Sequence, residues 1–206
     1  LREIPKGIVA NPNCSTIQLV VALKPLLEFG LEEVFVATYQ AVSGAGKRGL
    51  EALEAEERGE AYAESPFPGE IHRNLWPAIG SLEEGFYTEE WKLIRETKKI
   101  LGLPLKVHAT AVRVPVPVGH SEAVAARLRE GVEIAEVVKA MERQEGLVLR
   151  EGPLSPAQVA GQDEVFVSRL RVSPDDPRVL LMWVAADNLR KGAATNAVQI
   201  ADIIFG

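Results

Sequence analysis

The chain has 206 residues, of which 47% are hydrophobic, and this length and composition predict one large globular domain or a domain with an additional fragment. Its net charge of −6 argues against nucleic acid as a partner, and no stretch is long and apolar enough to span a membrane. A single cysteine excludes an internal disulfide and fits the reducing cytoplasm, the location we expect. Because the sequence begins with Leu1 rather than Met, we expect it to be part of something larger.

The first element is a helix that begins with the only cysteine. After a short apolar run and a turn, Cys14 stands at the start of an apolar helix that we predict over 15–29. Unpaired N–H groups at a helix start, and the positive end of its dipole, stabilise a thiolate, which is the nucleophilic form of cysteine. The alternative is a buried structural cysteine, since free cysteines are among the most buried residues.

A strand predicted over 34–39 runs into a glycine-containing segment, 40–46. The glycines there would let the backbone approach a ligand closely. A plain strand-to-helix loop is the alternative, because the spacing matches neither a dinucleotide fingerprint nor a P-loop. A Glu- and Ala-rich helix is predicted over 48–63, followed by a loop over 65–80.

A third helix is predicted from Thr88, as its N-cap, to Leu101, with Gly102 ending it. Glu89 and Lys92 are three residues apart and therefore share a face of this helix. They form either an ordinary exposed ion pair or a charged pair that is presented to a zwitterionic or phosphorylated ligand.

The segment 105–118 alternates as a strand does, but its apolar positions change from odd to even numbers near residue 111, which predicts a change of face at a bulge. Arg113 would then lie opposite the valines, where its guanidinium can grip a carboxylate. His120 has the pKa range for proton transfer, or it is a simple loop residue. Strand periodicity points Arg113 and His120 in opposite directions, so only a turn at Gly119 can bring them together.

The remaining chain predicts a helix over 134–143, strands over 147–149, 164–172 and 179–186, and a final helix that ends at Ile204. No His or Cys cluster has ligand spacing, so no metal site is expected. Strands and helices mix without strict alternation, which predicts an α+β fold: one mixed, largely antiparallel sheet with helices packed on it.

Four segments resemble motifs of the aspartate-β-semialdehyde dehydrogenase family, in the family's order and spacing. They are NPNCST at 11–16, TYQAVSGAG at 38–46, RVPV at 113–116 with HS at 120–121, and DNL at 187–189 with KGAA at 191–194. The resemblance implies the catalytic-domain fold that this family shares with glyceraldehyde-phosphate dehydrogenases. It assigns 1–13 to the end of an N-terminal nucleotide-binding domain that is mostly missing, 14–187 to a catalytic and dimerisation domain, and 188–206 to a helix that returns to the nucleotide-binding domain.

The resemblance also implies an activity and a homodimer. The activity is the NADP-dependent reduction of L-aspartyl-4-phosphate to L-aspartate-4-semialdehyde, with phosphate released, through a cysteine thioester, in the biosynthesis of lysine, threonine, methionine and isoleucine. The implied roles are Cys14 as nucleophile, His120 as acid/base, Gln40 beside the thiol as a substrate-positioning residue, Arg113 for the α-carboxylate, Glu89 for the α-ammonium, Lys92 and Asn13 for phosphate, and Ser43, Gly44 and Asn188 for NADP.

Two alternatives remain open at this point. N-acetylglutamyl-phosphate reductases share the architecture and a Cys/His pair, but an acetylated amine would leave Glu89 without a cation to bind. The chain can also be a dimerisation module that has no activity of its own, because it lacks a nucleotide domain.

Overall fold

The computed structural model describes residues 7–206, so the first six residues of the predicted segment 1–13 lie outside it. Helix α1 spans Cys14–Leu23, and the Oδ1 atom of Asn13 accepts hydrogen bonds from the N–H groups of Ser15 at 3.0 Å and Thr16 at 3.2 Å. A 3₁₀ helix, Lys24–Phe29, continues α1 and ends at Gly30 with a φ of 73°. The helix predicted over 15–29 is therefore present in two parts, because Pro25 near the junction has no N–H for an α-helical bond.

Eight strands form a six-stranded sheet and a small hairpin. The strands are β1 Leu31–Gln40, β2 Leu82–Glu83, β3 Phe86–Tyr87, β4 Lys106–Arg113, β5 His120–Leu128, β6 Leu147–Arg150, β7 Val165–Val172 and β8 Val179–Ala186. The large sheet has the order β4-β1-β5-β8-β7-β6, and β2 pairs with β3. Three of its neighbouring pairs are antiparallel, while β1 with β4 and β6 with β7 are parallel. The predicted mixed, largely antiparallel sheet is confirmed.

Five more helices follow α1. They are α2 Lys47–Glu57, α3 Thr88–Leu101, α4 Ile134–Glu142, the short α5 Pro156–Val159 and α6 Thr195–Phe205, which a π-helical stretch, Arg190–Ala194, precedes. Helix α2 ends six residues before the predicted end, because Gly59 directly after its last turn adopts a φ of 76°. The predicted Thr88 N-cap is also wrong. Tyr87 takes that position, and its N–H donates to Glu90 Oε2 at 2.8 Å.

Helices α1, α3 and α4 cover one face of the large sheet, and the main core lies between the two layers. Alternate residues of each strand point into this core, as the two-residue period of a strand requires. The opposite face of β1, β4, β5 and β8 stays partly open to solvent, as the 47% exposure of Phe35 shows. Within residues 7–206, none of the helices combines the length and hydropathy needed to cross a bilayer.

Strand β4 does not change face, contrary to the expectation of a bulge near residue 111. Val107, Ala109, Ala111 and Arg113 all lie on the helix-covered face. The strand ends at Arg113. Residues 114–119 form a loop, so the valines in it belong to no strand. The change from odd to even apolar positions in the sequence therefore marks the end of a strand.

Candidate active site

The polar residues of the candidate site lie at the neighbouring ends of three adjacent strands. Register pairs Arg113 of β4 with Gln40 of β1, and the antiparallel register of β1 with β5 places His120 on the other side of Gln40. All three side chains are buried on the helix-covered face. Arg113 and His120 thus share a face, as the resemblance requires and as simple strand periodicity did not allow. A turn at Gly119, with a φ of 97°, accompanies this arrangement.

The backbone of Ala41 joins Arg113 to His120. Its carbonyl accepts a hydrogen bond from Nη1 of Arg113 at 2.5 Å, and its N–H donates to Nδ1 of His120 at 3.0 Å. Because Nδ1 is the acceptor, the proton of the neutral imidazole lies on Nε2. That Nε2 atom is buried and has no partner among the described residues, so it can donate to a ligand.

Gly44 lies directly against the same two side chains. A Cβ atom built at this position would be 2.6 Å from Nη1 of Arg113 and 3.1 Å from Nε2 of His120. Only a residue without a side chain lets the backbone lie this close to Arg113 and His120. Next to Gly44, Asn188 exchanges hydrogen bonds with the Ser43 hydroxyl at 3.0 and 3.2 Å and accepts the Gly119 N–H at 2.9 Å.

A second cluster surrounds the cysteine at the start of α1. Asn13, which caps that helix through Oδ1, donates from Nδ2 to Glu89 Oε1 at 2.8 Å. Glu89 is buried, and its other oxygen lies 3.4 Å from Nζ of Lys92, whose side chain is 52% exposed. Glu89 is thereby fixed near Cys14, while Lys92 is partly exposed to solvent.

Cys14 is a thiol here, contrary to the expectation of a stabilised thiolate. Burial and the Glu89 carboxylate raise the pKa of the Cys14 thiol to about 11, and the Ser15 N–H and the charge of Arg113 oppose them only in part. The favourable helix start is thus outweighed by loss of hydration and by a nearby negative charge. Glu89 and Arg113 both act on this pKa, so both charged groups lie near the Cys14 sulfur.

Burial also sets the charge states of the groups around Cys14. Burial and the charge of Arg113 lower the pKa of His120 to about 3, so the ring is neutral at neutral pH. Burial lowers the pKa of Arg113, and Glu89 and Cys14 oppose this shift. The site therefore combines a neutral imidazole, a thiol and a guanidinium.

The structure brings the predicted residues into one region and adds contacts that sequence reasoning missed. Ala41 contributes only through its backbone N–H and carbonyl, so no pattern of side chains in the sequence predicts its role. Asp187 accepts hydrogen bonds from the N–H groups of Leu189, Arg190 and Gly161, at 2.7, 3.0 and 2.7 Å. A Cβ atom built at Gly192 would be 3.1 Å from Cβ of Cys14, so the π-helical turn packs directly on the cysteine. The glycine of the last motif, Gly192, was the signal for this close approach.

In the part of the chain that the structure describes, no three His, Cys, Asp or Glu side chains are grouped so that they could hold a metal ion. The polar groups that converge here are instead a thiol, an imidazole and charges of both signs. These are residue types that nucleophilic catalysis by a cysteine uses.

Residues 23–191 match the family model described as "Semialdehyde dehydrogenase, dimerisation domain". The aspartate-semialdehyde dehydrogenase of Aquifex aeolicus is 43% identical over 212 residues, which cover 97% of this chain and 62% of that protein. A crystal structure of aspartate semialdehyde dehydrogenase II from Vibrio cholerae, complexed with ASA, superposes with a TM-score of 0.90 at 41% identity, over 96% of this chain and 62% of that one. The Candida albicans enzyme with NADP gives a TM-score of 0.70 at 27% identity, over 93% and 56%.

The chain belongs to the aspartate-semialdehyde dehydrogenase family, as the four motifs predicted. It spans about 62% of the length of the curated relatives it matches.

Proposed function

We propose that this chain supplies the catalytic half of an NADP-dependent aspartate-semialdehyde dehydrogenase. The reaction reduces L-aspartyl-4-phosphate to L-aspartate-4-semialdehyde and releases phosphate, a step in the biosynthesis of lysine, threonine, methionine and isoleucine. The observation that carries this proposal is that a buried carboxylate, Glu89, and a buried guanidinium, Arg113, both lie near enough to Cys14 to act on the pKa of its thiol. A substrate with both an ammonium and a carboxylate group can bind the two charges while its acyl carbon faces the sulfur.

Cys14 is the nucleophile in this proposal. Its sulfur attacks the acyl carbon of aspartyl phosphate, passes its proton to the departing phosphate, and displaces that phosphate to give a thioester. Because the pKa of the thiol is about 11, little thiolate exists before the substrate binds, and deprotonation accompanies the attack. The N–H groups at the start of α1 can stabilise the tetrahedral oxyanion.

His120 acts as the acid/base through Nε2. The hydrogen bond from Ala41 holds the proton on that atom, so the neutral ring can share it, through a hydrogen bond, with the oxygen that carries the negative charge of the hemithioacetal. When this intermediate collapses to the aldehyde, the proton stays on the nitrogen and the Cys14 thiolate departs. Gln40, between Arg113 and His120 at the sheet edge, positions the substrate beside the thiol.

We assign one group of the substrate to each of the remaining charged residues. One Nη atom of Arg113 is fixed by Ala41, and the other donors of the guanidinium are available for the α-carboxylate. Glu89, held by Asn13, accepts from the α-ammonium. The exposed Lys92 ammonium meets phosphate, with the Asn13 side chain near it.

The residues around Gly44 fit one end of NADP. The bare backbone of Gly44, which lies against Arg113 and His120, and the Ser43 hydroxyl bonded to Asn188 offer hydrogen-bonding groups where we place the cofactor. NADPH, when bound, supplies the hydride that reduces the thioester. A solved relative with NADP supports this assignment.

We also propose a cytoplasmic homodimer with the domain division 1–13, 14–187 and 188–206. The partly open sheet face that carries Phe35 is the surface we assign to the partner subunit, since exposed apolar patches mark such interfaces. Helix α6 has no buried residue, and Ile203 and Phe205 are 70% and 85% exposed. This supports the assignment of that helix to contact with a nucleotide-binding domain.

The deciding experiment is phosphate-dependent reduction of NADP by the full-length protein, with aspartate semialdehyde and N-acetylglutamate semialdehyde offered in parallel. We expect a signal with the free amine only, and none from a Cys14→Ala variant. A preference for the acetylated substrate would overturn the substrate and the role of Glu89. Activity in neither assay, from folded protein, would indicate a dimerisation module without catalytic function.

A further inference from the structure

One carboxyl group lies in the sheet directly below the row of Arg113, Gln40 and His120. Register places Glu122 of β5 beside Thr38 of β1 and Val184 of β8, on the helix-covered face, where it is fully buried. Helix α1 packs over these strands and brings Gln18, which is 1% exposed, to the same layer. The proposed mechanism uses neither residue.

Four buried polar atoms of this pair lack a hydrogen-bond partner within residues 7–206. They are the two carboxyl oxygens of Glu122 and the amide nitrogen and oxygen of Gln18. Buried polar groups are nearly always hydrogen-bonded, so four such atoms at one place require an explanation. The two side chains are neighbours, because the Gln18 amide lies close enough to lower the pKa of Glu122 against the larger, opposite effect of burial.

A proton on Glu122 would satisfy all four atoms at once. A carboxylic acid donates its O–H to the amide oxygen and accepts the amide N–H on its carbonyl oxygen, which closes a ring of two hydrogen bonds. An ionised carboxylate can only accept, and the Gln18 oxygen would then face it without a donor. The terminal torsions of Glu and Gln are soft, so a small rotation completes both bonds.

The surroundings offer nothing that would keep Glu122 ionised. Thr38, Val184 and Gln18, which register and packing bring against it from β1, β8 and α1, carry no charge. The nearby titratable groups on its own strand and on α1 are His120 and Cys14. Both are neutral at neutral pH, since their pKa values are about 3 and about 11. Without a cation, burial favours the protonated acid.

We propose that Glu122 is a permanently protonated positioning residue, and that its acid–amide pair with Gln18 clamps α1 onto β5 and so sets the distance from Cys14 to His120. Cys14 precedes Gln18 by one helical turn, and His120 precedes Glu122 by two residues on the same strand face. The pair is therefore one layer below the two reacting groups. The positioning role rests on the proposed function, whereas the protonation and the clamp do not.

The test compares full-length wild type with Glu122→Gln and Glu122→Met. Glutamine offers Gln18 a donor and an acceptor but has no titratable proton. Methionine has a similar length but offers neither a donor nor an acceptor. An infrared difference spectrum of wild type against Glu122→Gln isolates the carbonyl stretch of a protonated carboxyl at neutral pH. A carboxylate band in its place would overturn the proposal, whatever the activity of the protein.

Stability provides a second readout that is independent of activity. The unfolded chain ionises Glu122 above its ordinary pKa of 4.5, while the folded chain keeps the proton. The free energy of unfolding of wild type should therefore fall relative to Glu122→Gln as the pH rises from about 5 to about 8. Parallel stability curves for the two proteins would contradict a protonated Glu122.

Activity then tests the positioning role. Glu122→Gln should keep kcat and its pH profile, whereas Glu122→Met should lower kcat by roughly a hundredfold with little change in KM, because a small displacement of reacting groups slows the chemical step. Gln18→Met should give the same loss from the other side of the pair. Folded Met variants with wild-type kcat would exclude positioning, and an equal loss in Glu122→Gln would exclude the acid–amide pair. A failure of the proposed function differs from these outcomes, because wild type itself would then be inactive.

Discussion

The N–H of Ala41 donates to Nδ1 of His120 at 3.0 Å, and this single bond decides which nitrogen of the ring can exchange a proton with a substrate. The imidazole is thereby oriented by the backbone of the strand next to its own. A backbone donor cannot change its protonation state, so the Nε2 tautomer persists over the whole pH range in which the protein is folded.

Titration of His120 should not affect activity near neutral pH. Burial and Arg113 lower the pKa of His120 from 6.5 to about 3, so the pH profile of kcat should show no step near 6.5. A step near that pH that a His120→Gln variant lacks would contradict the prediction. Because the unfolded chain binds this proton at higher pH than the folded one, stability should also fall as the pH drops from 6.5 towards 3, and less so in the variant. Thermal unfolding across this range measures the difference.

Glu89→Gln should make the Cys14 thiol more reactive and should weaken binding of the substrate. The Glu89 charge raises the pKa of Cys14, so its removal should lower that pKa and speed alkylation of the thiol by neutral iodoacetamide. The same change should raise KM for aspartate semialdehyde about tenfold or more, because a charged hydrogen bond is worth about 1.5–3 kcal/mol. Slower alkylation, or an unchanged KM, would remove Glu89 from its proposed role. Glu96→Gln is a control, since Glu96 contacts the Asn13 N–H rather than its side chain.

Gly44→Ala should disturb binding more than stability. The added Cβ would be 2.6 Å from Nη1 of Arg113, so the guanidinium must shift away from the Ala41 carbonyl that holds it, while its flexible stem limits the cost to folding. We therefore expect a melting temperature close to that of wild type, and weaker binding of both aspartate semialdehyde and NADP in calorimetric titrations. Wild-type affinities would show that binding does not depend on the position of Arg113 beside Gly44.

Phe35→Glu should dissociate the proposed dimer. Phe35 is 47% exposed on the open sheet face, and a carboxylate placed there would lose its hydration on assembly. Size-exclusion chromatography with light scattering should give the dimer mass for wild type and the monomer mass for the variant. Ile100→Glu is the matched control, because Ile100 is 45% exposed in α3, on the other side of the sheet. If the control dissociates and Phe35→Glu does not, the interface lies elsewhere.

The long elements were predictable because their patterns are local. Periodicity and end signals located α3 and β8 to within a few residues of the observed bounds. The end of α2 was missed although Gly59 marks it, because the Glu- and Ala-rich pattern continues past that glycine. The supposed change of face in β4 arose because one alternating run covers both a strand and the loop after it.

The candidate site was predictable as a set of residues and only partly as chemistry. The motifs identify Cys14 and His120, but the pKa of each depends on how deeply the fold buries it, and periodicity does not encode depth. The helix start predicted a lower pKa for the thiol, whereas burial and Glu89 raise it. The contribution of Ala41 is invisible in sequence, since any residue has the same backbone groups.

The loop 114–119 has a consequence for the tolerance of this fold to insertions. It crosses the end of β1 and is bonded there three times: the Val114 N–H donates to Gln40 at 3.0 Å, and Val116 and Pro117 accept from the N–H groups of Val42 and Ser43 at 2.8 and 3.2 Å. One added residue would shift His120 along β5 and turn its ring to the opposite face of the sheet. The length of this loop is therefore as strictly required as the identity of the residues at its two ends.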